Sequence, residues 1–595
     1  MARKGDSYRS NRNMAEASYD EASRARYRRR AARAGGSGSG GFDHGISVIQ
    51  VLFLTLFAFV ALRLVWLQVF QARELSQAAE DRRTNVVTLH ARRGTIYDRN
   101  GNVLAASEEC KTIYANPEEV NDPNGTAELL AQELGGKKKD YLKLLRTKGT
   151  FVYIKRQADE DASERLQEAF NEQGMRGVYF VSDTRRVYPY GSVGGQVLGI
   201  VGVDGDGLSG LELYYDNILK GEDGQMIMEV GQGGTPIAGG ASEVTEAKNG
   251  ADIIISLDID IQAVAEEQIE KGVKEYTADS GSVVVTNPKN GEILAMCSTP
   301  LLDPTDTSDA DNAAFTVKPV TSTYEPGSIF KVLTAAIGIE NGLVTPNSTW
   351  SVPGKVKVGD DYVSDADGRT ETVDYSLRDI IAYSSNAGIA LVTQNLIGAE
   401  TFSKGVSAFQ IGQATGIDYP GEGPGIVKSL DEYDGSTLGN MSFGQGLAVP
   451  MVQMIKAVGS IANGGTLYTP HFLMVKDGKE VTWKATGTSV SGDTCDAVTD
   501  MMRSVVDYGT GTDVSVEGYD VAVKTGTGEQ VKEDGSGYLA DKFVSSMIGF
   551  ANADDAEVLV YVGLNGTGYH GSAAGGTFSA IMSEALSDTG VSPVG

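Results

Sequence analysis

The stretch Tyr324-Glu325-Pro326-Gly327-Ser328-Ile329-Phe330-Lys331 places a hydroxyl and an amine three residues apart, directly after a Pro-Gly pair. Residues at this spacing share one face of a helix, so the amine of Lys331 can lie beside the hydroxyl of Ser328. A serine hydroxyl becomes an effective nucleophile when a neighbouring base takes its proton, and a desolvated lysine can be that base. Most such spacings are ordinary exposed helix surfaces, so further motifs are needed to indicate catalysis.

Two further short motifs follow this pair along the chain. Ser384-Ser385-Asn386 begins 56 residues after Ser328 and comes after a helical pattern at residues 377–383. Lys524-Thr525-Gly526-Thr527 comes after an alternating strand pattern at residues 519–523. Taken singly, the first motif is typical of a polar cap or turn and the second of a strand end. Their order is typical of serine enzymes that form acyl intermediates.

These motifs lie within longer stretches that resemble the class B penicillin-binding proteins, which are peptidoglycan D,D-transpeptidases. Five stretches carry the resemblance: residues 92–105, 186–191, 207–212, 415–422 and 461–465. The first three resemble the family's non-catalytic motifs, and the last two match segments of its catalytic domain. The resemblance covers most of residues 46–580, and it implies that the chemistry belongs to the second half of the chain.

The resemblance implies a role for each residue of the first two motifs. Ser328 would attack the carbonyl between the two terminal D-alanines of a stem peptide, and Lys331 would accept its proton. Ser384 would pass a proton to the leaving amine, and Asn386 would orient the lysine and the substrate amide. An amine from a neighbouring stem would then resolve the acyl-enzyme and form a cross-link. A β-lactam contains a strained amide that resembles this substrate, and it would acylate Ser328.

The third motif is implied to bind the substrate. Lys524 would supply positive charge for the terminal carboxylate of the stem peptide, and it is the fifth implied catalytic side chain. Thr525 and Thr527, on either side of Gly526, would offer hydroxyl donors beside it. The backbone amides of Ser328 and Thr527 would form the oxyanion hole.

Other classes of protein share parts of this pattern. A β-lactamase would need a base that activates water for deacylation, and no Glu-containing loop with that arrangement is evident. A bifunctional class A protein would need a glycosyltransferase domain, whereas residues 71–250 resemble a pedestal. A non-enzymatic β-lactam sensor usually has several membrane spans, and a scaffold would not need every catalytic side chain. The transpeptidase interpretation is therefore favoured.

Residues 46–70 are almost wholly apolar and form a predicted membrane anchor. As a helix they span about 37 Å at roughly 1.5 Å per residue, enough for the roughly 30 Å hydrocarbon core. Arg63 lies toward one end, where its head group can reach the interface. A cleavable signal is disfavoured because residues 68–73 offer no small-x-small cleavage site. Six arginines at residues 24–33 precede the anchor. They predict a cell-membrane protein with a cytoplasmic N-terminus and an extracellular catalytic domain.

The predicted architecture is α+β and multidomain. We expect a basic tail with a Gly/Ser linker (1–45), a single transmembrane helix (46–70), an elongated mixed α/β pedestal (71–250) and a transpeptidase domain (251–595). In the last domain the patterns predict strands at 252–257, 282–286 and 292–297 and helices at 259–276 and 329–341. Asn-Pro and Asn-Gly between the second and third strands predict a hairpin. The resemblance implies a serine transpeptidase/β-lactamase-like fold, an antiparallel sheet with helices on both sides.

Composition excludes several functional classes. The formal charge is -28; residues 1–34 hold ten basic and four acidic residues, so the remainder carries -34. An acidic body argues against nucleic acid as a partner. The three cysteines, Cys110, Cys297 and Cys495, form no disulfide framework, and Cys297 is expected to be a buried apolar residue. The four histidines are scattered without a ligand-spaced pair, so a zinc site is not predicted. No cofactor is predicted either.

Within class B, two short segments favour the septal branch. Glu325-Pro326-Gly327 and residues 63–68 look more like the division enzymes than like the elongation enzymes. The resemblance then implies septal cross-linking of stem peptides, either lipid-linked or in nascent glycan strands, and inhibition by β-lactams. It also implies a polytopic glycosyltransferase and divisome membrane proteins as partners. The elongation- and sporulation-specific roles stay open.

Overall fold

The structure, a computed structural model, describes residues 40–71, 84–229, 242–531, 538–569 and 571–593 of the 595-residue chain. The predicted basic tail and most of the Gly/Ser linker, residues 1–39, lie outside these ranges. The chain divides into two compact units. One comprises Met1–Val87 and Ile227–Glu243, and the other comprises Thr88–Met226 and Val244–Gly595.

The first unit contains a long apolar helix. Helix α1 (Gly40–Val65) continues as a π-helical turn at Trp66–Phe70. Its stretch Val48–Phe70 is long and apolar enough to cross a membrane, and it is the one such helix in the described ranges. The apolar side chains of this stretch are exposed, as expected of a helix whose surroundings are lipid rather than protein. The helix therefore fits the predicted single membrane anchor.

Between residues 84 and 250 the chain is of mixed α/β structure. Its strands are β1 (Thr84–Leu89), β2 (Ile96–Tyr97), β3 (Val103–Ala115), β4 (Val152–Ala158), β5 (Val178–Val187), β6 (Gly224–Glu229) and β7 (Ser242–Thr245). Its helices are α2 (Pro123–Leu134), α3 (Lys138–Leu145), α4 (Glu160–Glu172), α5 (Gly195–Leu198), α6 (Gly210–Tyr214) and α7 (Asp216–Leu219). Strand β3 pairs antiparallel with both β4 and β5, and α2, α3 and α4 contribute to a small apolar core with them.

The three non-catalytic stretches of the resemblance meet in a buried charge cluster. Glu212 is fully buried and accepts hydrogen bonds from Arg93 Nε (2.6 Å) and Arg186 Nε (2.6 Å). Asp216 provides a second carboxylate for Arg93, at 2.7 Å. Burial lowers the pKa of Arg93, but the two carboxylates outweigh this effect and the net shift is upward. Each charge in the cluster therefore has an opposite charge beside it, as buried ions require.

From residue 251 onward, short helices and strands surround one large sheet. The helices are α8 (Ile259–Glu275), α9 (Lys318–Thr321), α10 (Lys331–Glu340), α11 (Leu377–Ala382), α12 (Asn386–Val392), α13 (Gly398–Ala408), α14 (Thr437–Ser442), α15 (Met451–Ala462), α16 (Gly492–Asp507) and α17 (Gly575–Asp588). Shorter helical turns lie at Asn312–Phe315, Gly327–Phe330, Thr393–Ile397, Leu430–Glu432 and Gly571–Ala574. The strands are β8 (Ile253–Ile255), β9 (Ser280–Thr286), β10 (Ile293–Ser298), β11 (Thr323–Tyr324), β12 (Thr349–Val352), β13 (Lys355–Val358), β14 (Asp361–Ser364), β15 (Val373–Ser376), β16 (Val449–Pro450), β17 (Thr466–Leu467), β18 (Leu473–Lys476), β19 (Lys479–Glu480), β20 (Gly487–Thr488), β21 (Val521–Val531), β22 (Tyr538–Ala551) and β23 (Leu559–Thr567).

The large sheet is antiparallel, with the strand order β10-β9-β23-β22-β21. Successive residues of β23 are buried on both faces, which requires packed structure on each side of the sheet. The predicted hairpin of β9 and β10 is confirmed, with Ser298 opposite Ser282. The predicted architecture, an antiparallel sheet covered by helices, is also confirmed. The edge strand β21 carries the Lys524 motif.

A second sheet crosses the predicted domain boundary at residues 250/251. Its order is β19-β18-β8-β2-β3-β4, with β5 also paired to β3. Strand β8 lies parallel to β2, with Ile253 opposite Ile96, and antiparallel to β18. The boundary itself stays a prediction, but backbone hydrogen bonds join the segments on its two sides.

Candidate active site

Ser328 lies in a 3-10 turn, Gly327–Phe330, which continues directly into α10. The helical segment predicted at 329–341 is confirmed, with its first two residues in the 3-10 turn rather than in the α-helix. The backbone of Gly327 has φ of 57°, and a Cβ atom there would lie 2.9 Å from the carbonyl oxygen of Thr527. Only glycine tolerates both this conformation and this close approach. The turn is thereby held against the strand of the third motif.

Lys331 begins α10 and is fully buried. Its amine donates hydrogen bonds to Ser384, both to the carbonyl oxygen and to Oγ, the latter at 3.2 Å. Burial lowers the pKa of Lys331 to about 7, although the carboxylate of Asp365 opposes this effect. A large fraction of this amine is therefore neutral at neutral pH and able to accept a proton. Within the described ranges Ser328 Oγ itself forms no hydrogen bond.

Ser384 is the point at which the two lysines meet. Lys524 Nζ lies 2.9 Å from Ser384 Oγ, on the same hydroxyl that Lys331 contacts. The backbone of Ser384 has φ of 58°, which is uncommon for a residue with a side chain and costs of order 1 kcal/mol. This backbone strain accompanies an arrangement in which one hydroxyl can pass a proton between two amines.

Lys524 is also fully buried, near the middle of β21. Its amine donates to the carbonyl oxygen of Thr525 at 2.8 Å. Burial lowers the pKa of Lys524, and the neighbouring positive charge of Lys331 lowers it further. The carboxylate of a bound substrate would reverse this shift, because an opposite charge favours the protonated amine.

The remaining residues of the third motif lie directly beside the Ser328 turn. A Cβ atom on Gly526 would lie 2.3 Å from Ser546 Oγ and 2.9 Å from Ile329 Cγ1, so only glycine fits between them. Thr525 Oγ1 lies 2.5 Å from Thr510 Oγ1, and Thr527 is half-buried. The structure thus brings the predicted residues of the first and third motifs together.

The second motif is held in place by a buried ion pair. Ser385 caps α12, where its Oγ accepts from the amide of Gly388 at 2.9 Å. The carboxylate of Asp365 accepts from Ser385 Oγ at 2.8 Å and pairs with Arg369 at 2.8 Å. Asn386 Nδ2 donates to a neighbouring carbonyl oxygen at 3.4 Å. A contact of Asn386 with Lys331 is not recorded among the described residues, so its orienting role stays a prediction.

Sequence reasoning missed three residues that support the site. Asp365 and Arg369 are the buried ends of the run Asp-Ala-Asp-Gly-Arg, which has the composition of an exposed turn. Thr510 belongs to a Gly-Thr-Gly-Thr run that resembles a flexible loop. None was recognised from the sequence, because the site residues that they contact, Ser385 for Asp365 and Thr525 for Thr510, lie 20 and 15 residues away.

Among the described residues, the cysteines and acidic residues form neither a reactive thiol site nor a metal site. Cys110, Cys297 and Cys495 are buried free thiols, and the expected burial of Cys297 is confirmed. Burial raises the pKa of Cys110 and Cys495 to about 12, so these thiols are protonated at neutral pH. Among the described residues no cluster of three or more His, Cys, Asp or Glu could hold a metal ion.

Comparison with known proteins assigns both halves of the chain to penicillin-binding protein families. The penicillin binding protein transpeptidase domain family matches residues 281–583, and the penicillin-binding protein dimerisation domain family matches residues 88–255. Stage V sporulation protein D of Bacillus subtilis is 33% identical, over 91% of this chain and 86% of its own length. The probable peptidoglycan D,D-transpeptidase PenA of Neisseria meningitidis is 32% identical, over 92% of this chain and 93% of its own length. Penicillin binding protein 2X from Streptococcus thermophilus is 28% identical in sequence, and its crystal structure matches 84% of this chain and 80% of its own chain with a TM-score of 0.72.

Proposed function

The chain belongs to the class B penicillin-binding proteins, the penicillin-sensitive D,D-transpeptidases of peptidoglycan synthesis, and we propose that Ser328 is its acylated nucleophile. The observation that carries this assignment is the convergence of two buried amines on one hydroxyl. Lys331 Nζ and Lys524 Nζ lie 3.2 Å and 2.9 Å from Ser384 Oγ, next to the turn that presents Ser328. In the proposed mechanism Lys331 is the base for the nucleophile, and Ser384 is the path for its proton.

In the acylation step, the neutral amine of Lys331 takes the proton of Ser328 as its Oγ attacks the carbonyl carbon of the penultimate D-alanine. The backbone amides of Ser328 and Thr527 stabilise the oxyanion of the tetrahedral intermediate. The proton then passes through Ser384 Oγ to the amine of the leaving D-alanine, and Asn386 orients the substrate amide. The peptide C–N bond breaks, and an ester to Ser328 remains.

The third motif binds the carboxylate of the leaving D-alanine. Lys524 supplies the positive charge, and Thr525 and Thr527 donate hydrogen bonds beside Gly526. Contact with the carboxylate restores the proton of Lys524, because an opposite charge raises the pKa of an amine. The amine of a second stem peptide then attacks the ester and forms the cross-link.

We assign the pedestal to residues 71–250 and the transpeptidase domain to residues 251–595. The tail (1–45) lies in the cytoplasm, because arginines precede the anchor (46–70), and the catalytic domain lies outside the cell. The enzyme works in septal synthesis with a polytopic glycosyltransferase and divisome membrane proteins, as the Glu325-Pro326-Gly327 segment favours. Similarity to a stage V sporulation protein makes a sporulation role the alternative.

The nucleophile is tested by labelling membranes with a fluorescent penicillin. We expect the labelled band of the full-length protein to vanish in Ser328→Ala and to persist in the matched control Ser407→Ala, at an exposed serine. Unchanged labelling of Ser328→Ala would overturn the assignment.

Depletion of the protein tests the cellular role. Filamentous cells are expected if the enzyme serves the septum. Spherical cells would instead indicate elongation, and normal vegetative growth with defective spores would indicate sporulation.

A further inference from the structure

Three tyrosine side chains pack in a row beside the second motif. The rings of Tyr375 and Tyr383 stack with centroids 5.6 Å apart, and those of Tyr383 and Tyr508 lie 5.7 Å apart. Tyr383 is 47% exposed and Tyr508 is 38% exposed. We call these three residues the tyrosine wall. The proposed acylation chemistry uses none of them, and neighbouring exposed aromatic rings are a common feature of binding surfaces.

Backbone contacts connect the tyrosine wall to the carboxylate end of the site. Tyr383 directly precedes Ser384, and Tyr508 lies two residues before Thr510. The amide of Thr510 donates to the carbonyl oxygen of Ala382 at 3.0 Å, which joins the two segments. Thr510 Oγ1 in turn lies 2.5 Å from Thr525 Oγ1. The wall is therefore attached to the part of the cleft where the leaving D-alanine would bind.

The chemistry of the second step requires an acceptor at this same end. The acceptor amine attacks the carbonyl carbon that the leaving amine has just left, and it uses the same proton path in reverse. Its nitrogen must then occupy the position of the departed nitrogen. The chain that carries the acceptor amine consequently leaves the reaction centre on the side of Ser384 and Thr525.

We propose that the tyrosine wall is the binding site of the acceptor stem, and that it holds a primary amine on a flexible aliphatic chain; this rests on the proposed function. Methylene groups pack on the ring faces, and an ammonium group is attracted to them before it loses its proton. The new C–N bond forms as the ester C–O bond to Ser328 breaks. The proton of the amine passes through Ser384 and Lys331 to Ser328 Oγ.

Charges around the wall agree with a cationic ligand. Tyr508 Oη donates to Asp379 Oδ1 at 3.2 Å, which places a carboxylate next to the rings. The guanidinium of Arg378 is paired with Asp500 at 2.5 Å. Arg369 lies over the ring of Tyr375, 5.2 Å from its centroid, and is neutralised by its buried carboxylate partner.

The wall distinguishes transfer to an amine from transfer to water. Water needs no binding surface for a carbon chain, so loss of the wall should change the partition of the acyl-enzyme without changing its formation. The test uses the full-length protein in detergent micelles with a D-alanyl thioester donor. Nα-acetyl-L-lysine amide serves as the acceptor, and glycine amide serves as an acceptor without an aliphatic chain. The amounts of aminolysis and hydrolysis product are measured.

We expect the double variant Tyr383→Ala/Tyr508→Ala to lower the aminolysis-to-hydrolysis ratio about tenfold or more with the lysine derivative. The ratio with glycine amide and the rate of acylation by a fluorescent penicillin should stay within about twofold. Tyr383→Phe should retain the ratio, and Tyr153→Ala, at a half-exposed pedestal tyrosine, is the matched control. If the double variant does not fold, Tyr383→Arg keeps the bulk of the side chain and should lower the ratio by charge repulsion.

Two results would overturn the acceptor assignment. One is an unchanged ratio in variants that acylate normally, and the other is an equal fall in acylation and aminolysis, which would place the wall in donor binding. Absence of acylation in the unmodified protein would instead overturn the proposed function itself. The two failures are therefore distinguishable.

Discussion

The pedestal and the active site each bury several charged side chains, but they treat those charges in opposite ways. In the pedestal, Glu212 contacts both Arg93 and Arg186 at 2.6 Å, so each ion has a counter-ion. In the active site, Lys331 and Lys524 are as deeply buried, but they converge on a hydroxyl and form no ion pair among the described residues. Complete neutralisation fixes a structure, whereas incomplete neutralisation lowers the pKa of an amine and makes it a base.

The largest effect is expected when the proposed base, Lys331, is replaced. Lys331→Met keeps the apolar length of the side chain and should slow acylation by a fluorescent penicillin about a thousandfold or more. The melting temperature should not fall, because the variant no longer buries an amine that burial disfavours. A wild-type acylation rate would exclude Lys331 as the base, and a large loss of stability would mean that its hydrogen bonds to Ser384 dominate.

Removing the shared counter-ion of the pedestal should lower stability and leave acylation almost unchanged, the opposite of the effect of Lys331→Met. Glu212→Gln leaves Arg93 and Arg186 without their common carboxylate, and breaking a buried pair typically costs about 3–5 kcal/mol of unfolding free energy. Chemical denaturation measures this loss, while the acylation rate of the folded protein should stay within about twofold. The control is Glu400→Gln, which breaks an exposed ion pair with Lys404. It should leave the denaturation midpoint unchanged.

The pH dependence of acylation should follow the lowered pKa of Lys331, which lies at about 7. Below that value the amine is protonated and cannot accept a proton, so the rate should fall about tenfold per pH unit and level off above it. Asp365→Asn removes a charge that raises this pKa, so the midpoint should move to lower pH. A midpoint that moves upward would contradict this.

The same lysine affects stability in a defined direction. Its pKa is lower in the folded chain than the ordinary value of 10.5, so between about 7 and 10.5 the unfolded chain binds more protons. The contribution of Lys331 to stability therefore increases with pH across this range.

The smallest effect is expected at the contact between Thr510 and the third motif. Thr510→Val removes the hydroxyl that lies 2.5 Å from Thr525 Oγ1 and should raise KM for a stem-peptide donor about 2–10-fold. Thr510→Ser should restore the wild-type value, because it keeps the hydroxyl. If both variants have equal KM, the contact does not position Thr525.

The sequence predicted those parts of the molecule whose signals are local. The hairpin of β9 and β10, helix α8 and the three motifs each arise from residues close together in the chain. The tight turn at Ser328 was not predicted, because a 3-10 turn and an α-helix have the same pattern over four residues. The strand β21 begins at Val521 rather than at residue 519 and extends to Val531.

The sequence did not predict features that depend on residues far apart in the chain. The pairing of β2 with β8 joins strands of two and three residues across 157 positions of sequence, and such short strands carry no periodicity. The burial of Asp365 likewise follows from its partners Arg369 and Ser385, whereas its own sequence context is that of a surface turn. Only the assembled fold distinguishes the two environments.

The sheet shared across residues 250/251 has a consequence for recombination between related genes. Tyr215, before this point, donates to Asp418, which also accepts from the amides of Phe472 and Leu473. A gene exchange with a relative that cut the chain at residue 250 would combine β2 and Tyr215 from one parent with β8 and Asp418 from another. Viable hybrids should therefore keep Tyr215 and Asp418 as a matched pair, because the hydrogen bond between them needs both side chains.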